Sequence, residues 1–284
     1  MKKLFLAAFT LCALFANAQK LDKGLLWKIS GNGLSKPSYL FGTIHITCDA
    51  ALDKNTLKAL DETNQLYLEL DMDDPAMMSE MMGGMTMKDG KTMSSLVSPQ
   101  DFEIASAFVK ENLGVSLNMV ETYKPFMVGA MMYTKMIDCP AQSFEAELMK
   151  VSKAQNEEIY GLETVQEQMK VFDDIPYEDQ MKDLVRSAKS GLTKEKAEFK
   201  KLMDAYKGKD LNKLMALMND SENPMYSENN DVLLTNRNKN WIPKIEKTAK
   251  EKPTFFGVGA AHLAGDDGVI NLLRKKGYKV EAVK

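Results

Sequence analysis

Short apolar runs lie near both ends of the chain, and segments with helical periodicity fill the long middle. The runs are rich in β-branched and aromatic residues and are bounded by turn residues, which is typical of buried strands. The predicted strands are Leu25–Ser30, Ser38–Gly42, Leu66–Leu70, Glu158–Leu162, Thr254–Val258 and Tyr278–Val283. Because Gly31-Asn32-Gly33 separates the first two, we expect them to form a hairpin.

Helices are predicted between these strands. They cover Leu52–Glu62, Ser98–Asn112, Pro125–Ile137, Glu145–Gln155, Val165–Phe172, Tyr177–Ser190, Lys194–Lys207, Leu211–Met218, Met225–Thr235, Asn238–Glu251 and Gly268–Lys276. Asp71–Met93 is predicted to be a stretch of low order. The last three elements predict a strand–helix–strand unit that closes the sheet. No low-complexity linker divides the chain, so the pattern predicts one α/β domain whose two ends build one sheet.

The first residues have the composition of a secretory signal peptide. Lys2-Lys3 is a positive start, Leu4–Phe15 is apolar, and Ala16-Asn17-Ala18 is a small-residue cleavage site. We therefore expect cleavage near Ala18-Gln19 and an exported domain of residues 19–284, located in the periplasm or outside the cell. The apolar stretch is too short to span a bilayer and no later stretch is long enough, so we expect no transmembrane segment.

Charge and cysteine usage narrow the classes of partner and compartment. The net charge is −3 and no basic block could follow a nucleic-acid backbone, so nucleic acid is not an expected partner. Cys48 and Cys139 remain after processing, and an even pair in an oxidising compartment favours a disulfide. The alternative is two buried free thiols. Lipid attachment at Cys12 is disfavoured, because the residues before it lack the small side chain that such a site needs.

The two histidines of the sequence end the same four-residue pattern. Gly42-Thr43-Ile44-His45 follows the second predicted strand, and Gly259-Ala260-Ala261-His262 follows the fifth. Two other predicted strands end in a carboxylate, Glu69 and Glu163. Open α/β sheets bind ligands beyond the carboxyl ends of their strands. We therefore expect these four side chains to meet if their strands are neighbours in the sheet.

Two chemistries fit this set of side chains. Two histidines and one carboxylate, here His45, His262 and Glu69, are a sensible ligand set for a catalytic divalent metal that keeps one position open for water. Glu163 would then orient a ligand or act as general base. In the second interpretation no metal is needed, and a histidine paired with Glu69 acts as general base on water. The simplest alternative is that both histidines are core residues.

The same residues carry a resemblance to a known family. The matching segments are Leu26–Ile29 with Tyr39–His45, Gly161–Thr164 with Gln166 and Gln168, Arg237-Asn238 with Trp241 and Ile242, Gly257–Gly265, and Gly277-Tyr278. In this order they resemble the TraB/GumN family, which includes the TIKI metalloproteases. The resemblance implies an EreA/ChaN-like central mixed sheet, built from the N- and C-terminal halves, with a largely helical middle section. It also implies a metal-dependent hydrolase site made of the two GxxH histidines and an early-strand glutamate, here Glu69.

Three more polar residues are candidates for binding substrate. The planar fork of Arg237 could hold a substrate carboxylate, which also makes it a candidate catalytic residue. Asn238 stands beside it in the same motif. Glu145 begins a predicted helix, where an acidic residue also stabilises the helix dipole without any role in a site. The equally good alternative is that Arg237 is an ordinary charged residue at the surface or at the start of a helix and has no role in a site.

Methionine is concentrated between Met72 and Met93. Thioethers bind soft Cu(I), but flexible methionine side chains more often pack against apolar surface. The segment directly follows the predicted strand of Glu69 and contains Gly83-Gly84 and Asp89-Gly90, which favour turns. We therefore predict that residues 72–93 form a mobile flap over the site rather than part of the core.

The sequence thus predicts an exported, metal-dependent hydrolase. A peptidase that acts on peptides or proteins is the favoured activity, with Mn, Co or Zn as the divalent cation. The alternatives are a metal-independent His/Glu hydrolase and a non-catalytic regulatory protein that binds a peptide signal.

Overall fold

The computed structural model of the protein describes residues 20–220 and 223–284. The signal peptide predicted for residues 1–18 lies outside the described residues. Within them, no helix combines the length and the apolar character that crossing a membrane requires.

One mixed sheet joins strands from both ends of the chain. Its strands are β1 (Leu26–Ser30), β2 (Ser38–Thr43), β3 (Leu66–Leu68), β4 (Ile159–Gly161), β5 (Phe255–Gly259) and β6 (Lys279–Ala282). They lie in the order β4-β3-β5-β2-β1-β6. The first four in this order are parallel, β1 runs antiparallel to β2, and β6 runs antiparallel to β1. The predicted α/β class and the predicted β1–β2 hairpin are confirmed.

The parallel strands end together because of their register. Thr43 at the end of β2 pairs with Gly259 at the end of β5, and Leu68 at the end of β3 pairs with Gly161 at the end of β4. Every residue of β2 and β3 is buried, as expected of parallel strands that are covered on both faces. The register therefore brings the residues that follow β2, β5, β3 and β4 to one end of the sheet.

Apart from β4, the chain between β3 and β5 is mainly helical, and one further helix precedes β3 and another follows β5. The helices are α1 (Lys54–Asp61), α2 (Met77–Gly84), α3 (Pro99–Leu113), α4 (Pro125–Met131), α5 (Phe144–Ala154), α6 (Val165–Asp174), α7 (Tyr177–Ser190), α8 (Leu192–Lys207), α9 (Leu211–Asn219), α10 (Pro224–Ser227), α11 (Asn236–Glu251) and α12 (Val269–Lys275). A largely helical middle section is therefore confirmed.

Local capping sets the helix starts that matter for the site. Thr164 accepts a hydrogen bond from the backbone N–H of Glu167, and the Glu167 side chain accepts one from the backbone N–H of Thr164. Such a capping box satisfies two otherwise unpaired N–H groups at the start of a helix. It fixes α6 directly after Glu163, so that this carboxylate stays at the end of the sheet.

The described residues form two large hydrophobic cores and a small third cluster around Leu70, Val165 and Met169. The larger core surrounds the sheet and includes Trp27, Leu40, Phe255 and Trp241. The second core belongs to the helical middle, where α3 and α7 pack Phe102 and Met181 among other buried side chains. Close packing of this kind keeps the elements that carry the site in fixed positions.

The predicted closing strand–helix–strand unit is present as β5, α12 and β6, but its two strands are not neighbours in the sheet. The strand β6 does not lie beside β5, because β2 and β3 already occupy both sides of β5. Instead β6 pairs antiparallel with β1, with Trp27 opposite Ala282. The last strand therefore extends the sheet at the side away from β3 and β4.

Three predicted segments also differ in detail. The helix predicted for Met225–Thr235 is the short α10 followed by a π-helical turn, Asp231–Thr235, that leads into α11. The buried helix predicted for Pro125–Ile137 is α4 followed by a tighter 3-10 turn, and Met131 is exposed rather than buried. The stretch predicted to be of low order contains α2.

The predicted flap ends earlier than residue 93. Met87 and Met93 are buried in the second core, so the prediction that the whole segment lies outside the core is wrong. Two backbone hydrogen bonds hold this part of the chain, from Met87 N–H to Thr122 O and from Met93 N–H to Glu121 O. The part that stays a candidate flap is residues 72–85, whose Met78 and Met82 side chains are exposed.

Candidate functional site

His45 follows β2 and pairs with Glu145 in the first turn of α5. The imidazole Nδ1 lies 2.7 Å from Glu145 Oε1, which also accepts a 2.6 Å hydrogen bond from Thr43 Oγ1. Glu145 is buried, whereas the His45 side chain is 70% exposed. Desolvation opposes a charge on the imidazole, but the hydrogen bond and the negative charge of Glu145 outweigh it and raise the pKa of His45 to about 9. In the absence of a metal, His45 is therefore protonated at neutral pH.

The predicted disulfide braces this pair. Cys48 and Cys139 are bonded, with their Cα atoms 5.6 Å apart. Beside them Thr47 and Gln142 exchange two backbone hydrogen bonds of 2.9 and 2.8 Å. Together these links hold the loop that follows His45 against the segment that leads into α5.

His262 lies in a 3-10 turn after β5 and is almost fully buried. Its Nδ1 lies 2.6 Å from Asn238 Oδ1, while Asn238 Nδ2 donates to Asp267 O. Because the Asn238 oxygen must accept, Nδ1 carries the imidazole hydrogen and Nε2 keeps its lone pair. Burial and the nearby positive charge of Arg237 lower the pKa of His262 to about 3, so this imidazole is neutral.

Arg237, in the first turn of α11, joins the two strand-end carboxylates. Its Nη2 lies 2.5 Å from both Glu69 Oε2 and Glu163 Oε1, and its Nε lies 3.1 Å from each oxygen of Glu163. Glu69 Oε1 accepts a 2.8 Å hydrogen bond from the backbone N–H of Gly259. Burial alone would raise the pKa of Glu69, but the guanidinium holds it well below its usual range. Glu69 is therefore an ionised carboxylate.

The three predicted metal ligands surround the end of β5. A Cβ added to Gly259 would lie 3.2 Å from Glu69 Oε1, 3.6 Å from His262 Cδ2 and 3.9 Å from His45 Nε2. All three side chains thus come within 4 Å of one point, and the missing side chain of Gly259 leaves the space between them open. At this position glycine is favoured by the tight approach of these side chains rather than by its backbone angles.

A cavity of about 310 Å³ opens onto part of this cluster. Its lining includes the charged groups His45, Glu69 and Glu145, and also Met77 and Met81 of α2. This volume is at the small end of the range for small-molecule sites. The cavity therefore offers both charged and apolar side chains to a ligand.

Some predicted site residues do not line the cavity. His262, Glu163, Arg237 and Asn238 are not among the described residues that line it. Asn238 is buried and holds His262, and Arg237 is engaged with carboxylates of the chain. Substrate binding by Arg237 and Asn238 therefore stays a prediction that requires rearrangement of these contacts.

Three further residues contact the site that sequence reasoning did not assign to it. Trp241 Nε1 donates a 3.1 Å hydrogen bond to Glu163 Oε2, and Gln168 Nε2 donates a 3.0 Å bond to Glu163 Oε1. Thr43 donates to Glu145, as described above. Thr43 stands inside the first GxxH pattern, whereas the contacts of Trp241 and Gln168 depend on how α6 and α11 pack.

The donor chemistry of the cluster fits a divalent metal. Each histidine has its Nδ1 held by an oxygen, which is the usual outer partner of a metal-bound imidazole and leaves Nε2 for the ion. Within residues 20–220 and 223–284, however, no group of three His, Cys, Asp or Glu side chains closes around a point as a metal shell. Two of the predicted ligands instead contact Arg237, whose Nη1 lies 3.1 Å from His262 Nε2 and whose Nη2 holds Glu69 Oε2.

The chain matches known proteins along nearly all of its length. The sequence model of the TraB/PrgY/gumN family matches residues 25–282. Metalloprotease TIKI2 of Danio rerio is 21% identical in an alignment that covers 93% of this chain and 62% of the relative. Metalloprotease TIKI2 of Xenopus tropicalis is 22% identical, with 95% and 61% covered. The chain thus spans about three fifths of the length of these curated relatives.

No solved structure matches the chain. The family match, by contrast, begins just before β1 and ends at the last residue of β6. It includes both GxxH patterns and the strands that position them. The chain therefore belongs to the TraB/PrgY/gumN family.

Proposed function

We propose that this protein is a metal-dependent hydrolase that cleaves peptide bonds. The observation that carries the proposal is the approach of His45, His262 and Glu69 to one point at the end of β5. Two histidines and a carboxylate that leave a position open are typical of catalytic metal sites in hydrolases. The relatives named as metalloproteases support a peptide or protein substrate and a metal, and the ion would be Mn, Co or Zn.

The charges of the cluster also support a divalent cation. Arg237 pairs with Glu69 and Glu163, and Glu145 pairs with His45. Three carboxylates and one guanidinium leave two negative charges when both histidines are neutral ligands. Glu145 Oε2 is buried and has no hydrogen-bond partner among the described residues. Net negative charge is costly to bury, so a site of this composition would favour a dication.

In this proposal His45 Nε2, His262 Nε2 and Glu69 would hold the ion. A bound divalent cation would supply Lewis-acid chemistry, which polarises a carbonyl and lowers the pKa of water. Glu145 and Asn238 orient the two imidazoles through Nδ1, as they already do. Met77 and Met81 of α2 would contact the apolar part of a peptide and reduce the access of bulk water.

A second candidate mechanism needs no metal and is favoured by the His45–Glu145 pair. An exposed imidazolium that lines a cavity, with a buried carboxylate at its Nδ1, is suited to donating a proton. Water would add to the carbonyl carbon of the peptide, the C–N bond would break, and His45 would protonate the leaving amine. The proton lost by the water would return to His45, while Glu145 holds the ring in place.

Hydrolysis of a mixed peptide library, with and without EDTA, tests the proposal. We expect EDTA to abolish cleavage and one of Mn²⁺, Co²⁺ or Zn²⁺ to restore it. His45→Ala, His262→Ala and Glu69→Gln should each lower kcat/KM at least about 100-fold. Glu147→Gln is the matched control, because Glu147 lies on the same helix as Glu145 but pairs only with Lys150 in the contacts of the described residues.

Two other results would contradict the proposal in different ways. Cleavage that resists EDTA but is lost in His45→Ala would favour the metal-independent mechanism. Saturable peptide binding without cleavage, under all metal conditions, would show that the protein is a binding protein and not a hydrolase.

A further inference from the structure

We propose that the positively charged Arg237 side chain blocks the metal-binding position by binding His262 and Glu69. A metal ion would then bind only when Arg237 releases these two residues. This inference rests on the metal-binding part of the proposed function. It concerns how strongly the site binds metal and what controls its occupancy.

All five N–H groups of the Arg237 guanidinium are used within the chain. Nε contacts Glu163, Nη1 contacts Leu233 O and His262 Nε2, and Nη2 contacts Glu69 Oε2 and Glu163 Oε1. The guanidinium also lies over the ring of Trp241, with Cζ 4.9 Å from the ring centre. Its side chain is 12% exposed. This cation is therefore fixed by its surroundings rather than held loosely at the surface.

One of these contacts uses the electron pair that a metal would need, and a second holds the Oε2 oxygen of the predicted ligand Glu69. His262 has one lone pair available, on Nε2, because Asn238 fixes the hydrogen on Nδ1. That lone pair accepts from Arg237 Nη1 at 3.1 Å, so it cannot bind an ion at the same time. Glu69 Oε2 is likewise held by Nη2. A guanidinium and a dication would also repel each other strongly at such short range.

The contacts of Arg237 with Glu163 and Trp241 could still hold its side chain after it releases His262 and Glu69. The Nε and Nη2 bonds to Glu163 and the stacking on Trp241 do not involve a predicted metal ligand. A small shift of the guanidinium could therefore break the bonds to His262 and Glu69 and keep the ion pair with Glu163. Leu233, which accepts from Nη1, belongs to the π-helical turn before α11, and such turns are frequent at functional sites.

Titration of the metal-free protein with Co²⁺ tests the inference without any measurement of activity. We compare the wild type with Arg237→Met, and with the double variant Arg237→Met/Glu163→Gln, which also removes the carboxylate left unpaired. We expect both variants to bind Co²⁺ about 10- to 100-fold more tightly than the wild type, which is the range in which groups around metal ligands change affinity. The visible absorption of Co²⁺ reports histidine ligation, and adding His262→Ala to either variant should abolish it.

Arg186→Met is the matched control, because Arg186 is also paired with two carboxylates, Asp183 and Glu195, outside the site. It should leave Co²⁺ affinity unchanged. Equal affinity in the wild type and in the folded Arg237 variants would overturn the inference but leave the metal site standing. Absence of histidine-ligated Co²⁺ in every variant that keeps its fold would overturn both the inference and the metal part of the proposed function. If Arg237→Met alone does not fold, the double variant Arg237→Met/Glu163→Gln still provides the test.

Discussion

The two histidines end the same sequence pattern, but they differ in exposure and in protonation. His45 is open to solvent and has a carboxylate at Nδ1, whereas His262 is buried and has an amide oxygen there. Burial disfavours a charged imidazole, and a neighbouring carboxylate favours it. One histidine is therefore a cation at neutral pH and the other is neutral, which the pattern alone does not indicate.

We expect a histidine proton titration by NMR in the metal-free protein to show this difference. His45 should titrate near pH 9, and His262 should stay neutral above about pH 3. Glu145→Gln should return the pKa of His45 toward its ordinary value of 6.5. Because the pKa of His45 is raised in the folded state, its pairing stabilises the fold fully below pH 6.5 and this contribution is lost as the pH rises through about 9. The difference in unfolding free energy between wild type and Glu145→Gln should therefore shrink over this interval.

Asn238 acts by positioning His262. Asn238→Ala removes the acceptor for the buried Nδ1–H, and leaving such a donor unpaired costs about 1–3 kcal/mol of unfolding free energy. It should also weaken divalent-metal binding about 10- to 100-fold, because the imidazole loses its orientation. Urea denaturation and metal titration measure the two effects. Asn240→Ala, at an exposed position two residues along the same helix, is the control, and an equal effect there would contradict the assignment.

At the scale of elements, α2 presents two different methionine faces. Met77 and Met81 line the cavity, whereas Met78 and Met82 are exposed. If the cavity binds the apolar part of a peptide, the double variant Met77→Gln/Met81→Gln should lower kcat/KM for peptides with large apolar residues. We expect a loss of about 10-fold or more, because the loss of apolar contacts in a pocket changes kcat/KM by at least this factor. Met78→Gln/Met82→Gln should leave it unchanged. Equal losses in both pairs would mean that the helix matters only for stability.

Hydrogen exchange measures the mobility of the candidate flap, residues 72–85. Residues 72–85 contact the rest of the fold mainly through α6, whereas Met87 and Met93 are tied to the second core. We expect fast exchange in residues 72–85 of the free protein and slower exchange when a peptide is bound. Protection of the free segment equal to that of β3 would show that it is packed structure rather than a flap.

At the scale of the whole molecule, the sequence predicts the sheet better than it predicts the contacts of the site. The strands carry clear apolar runs, so their existence and the hairpin are predictable from local patterns. The place of β6 is not, because it depends on which neighbours β5 already has. In the same way the strand-end positions of Glu69 and Glu163 follow from the pattern, but the bridge between them by Arg237 requires α11 to pack over the sheet.

The central position of β5 has a consequence for how the protein folds. This strand lies between β2 and β3, and a residue at its base bonds to one that precedes it by 216 positions. Before β5 arrives, the β1–β2 hairpin and the β3–β4 pair have no strand in common. Contacts between such distant segments form slowly, because a long loop must close first. Since β5 also carries Gly259 and leads into His262, we expect the candidate site to form in the same late step that joins the two parts of the sheet.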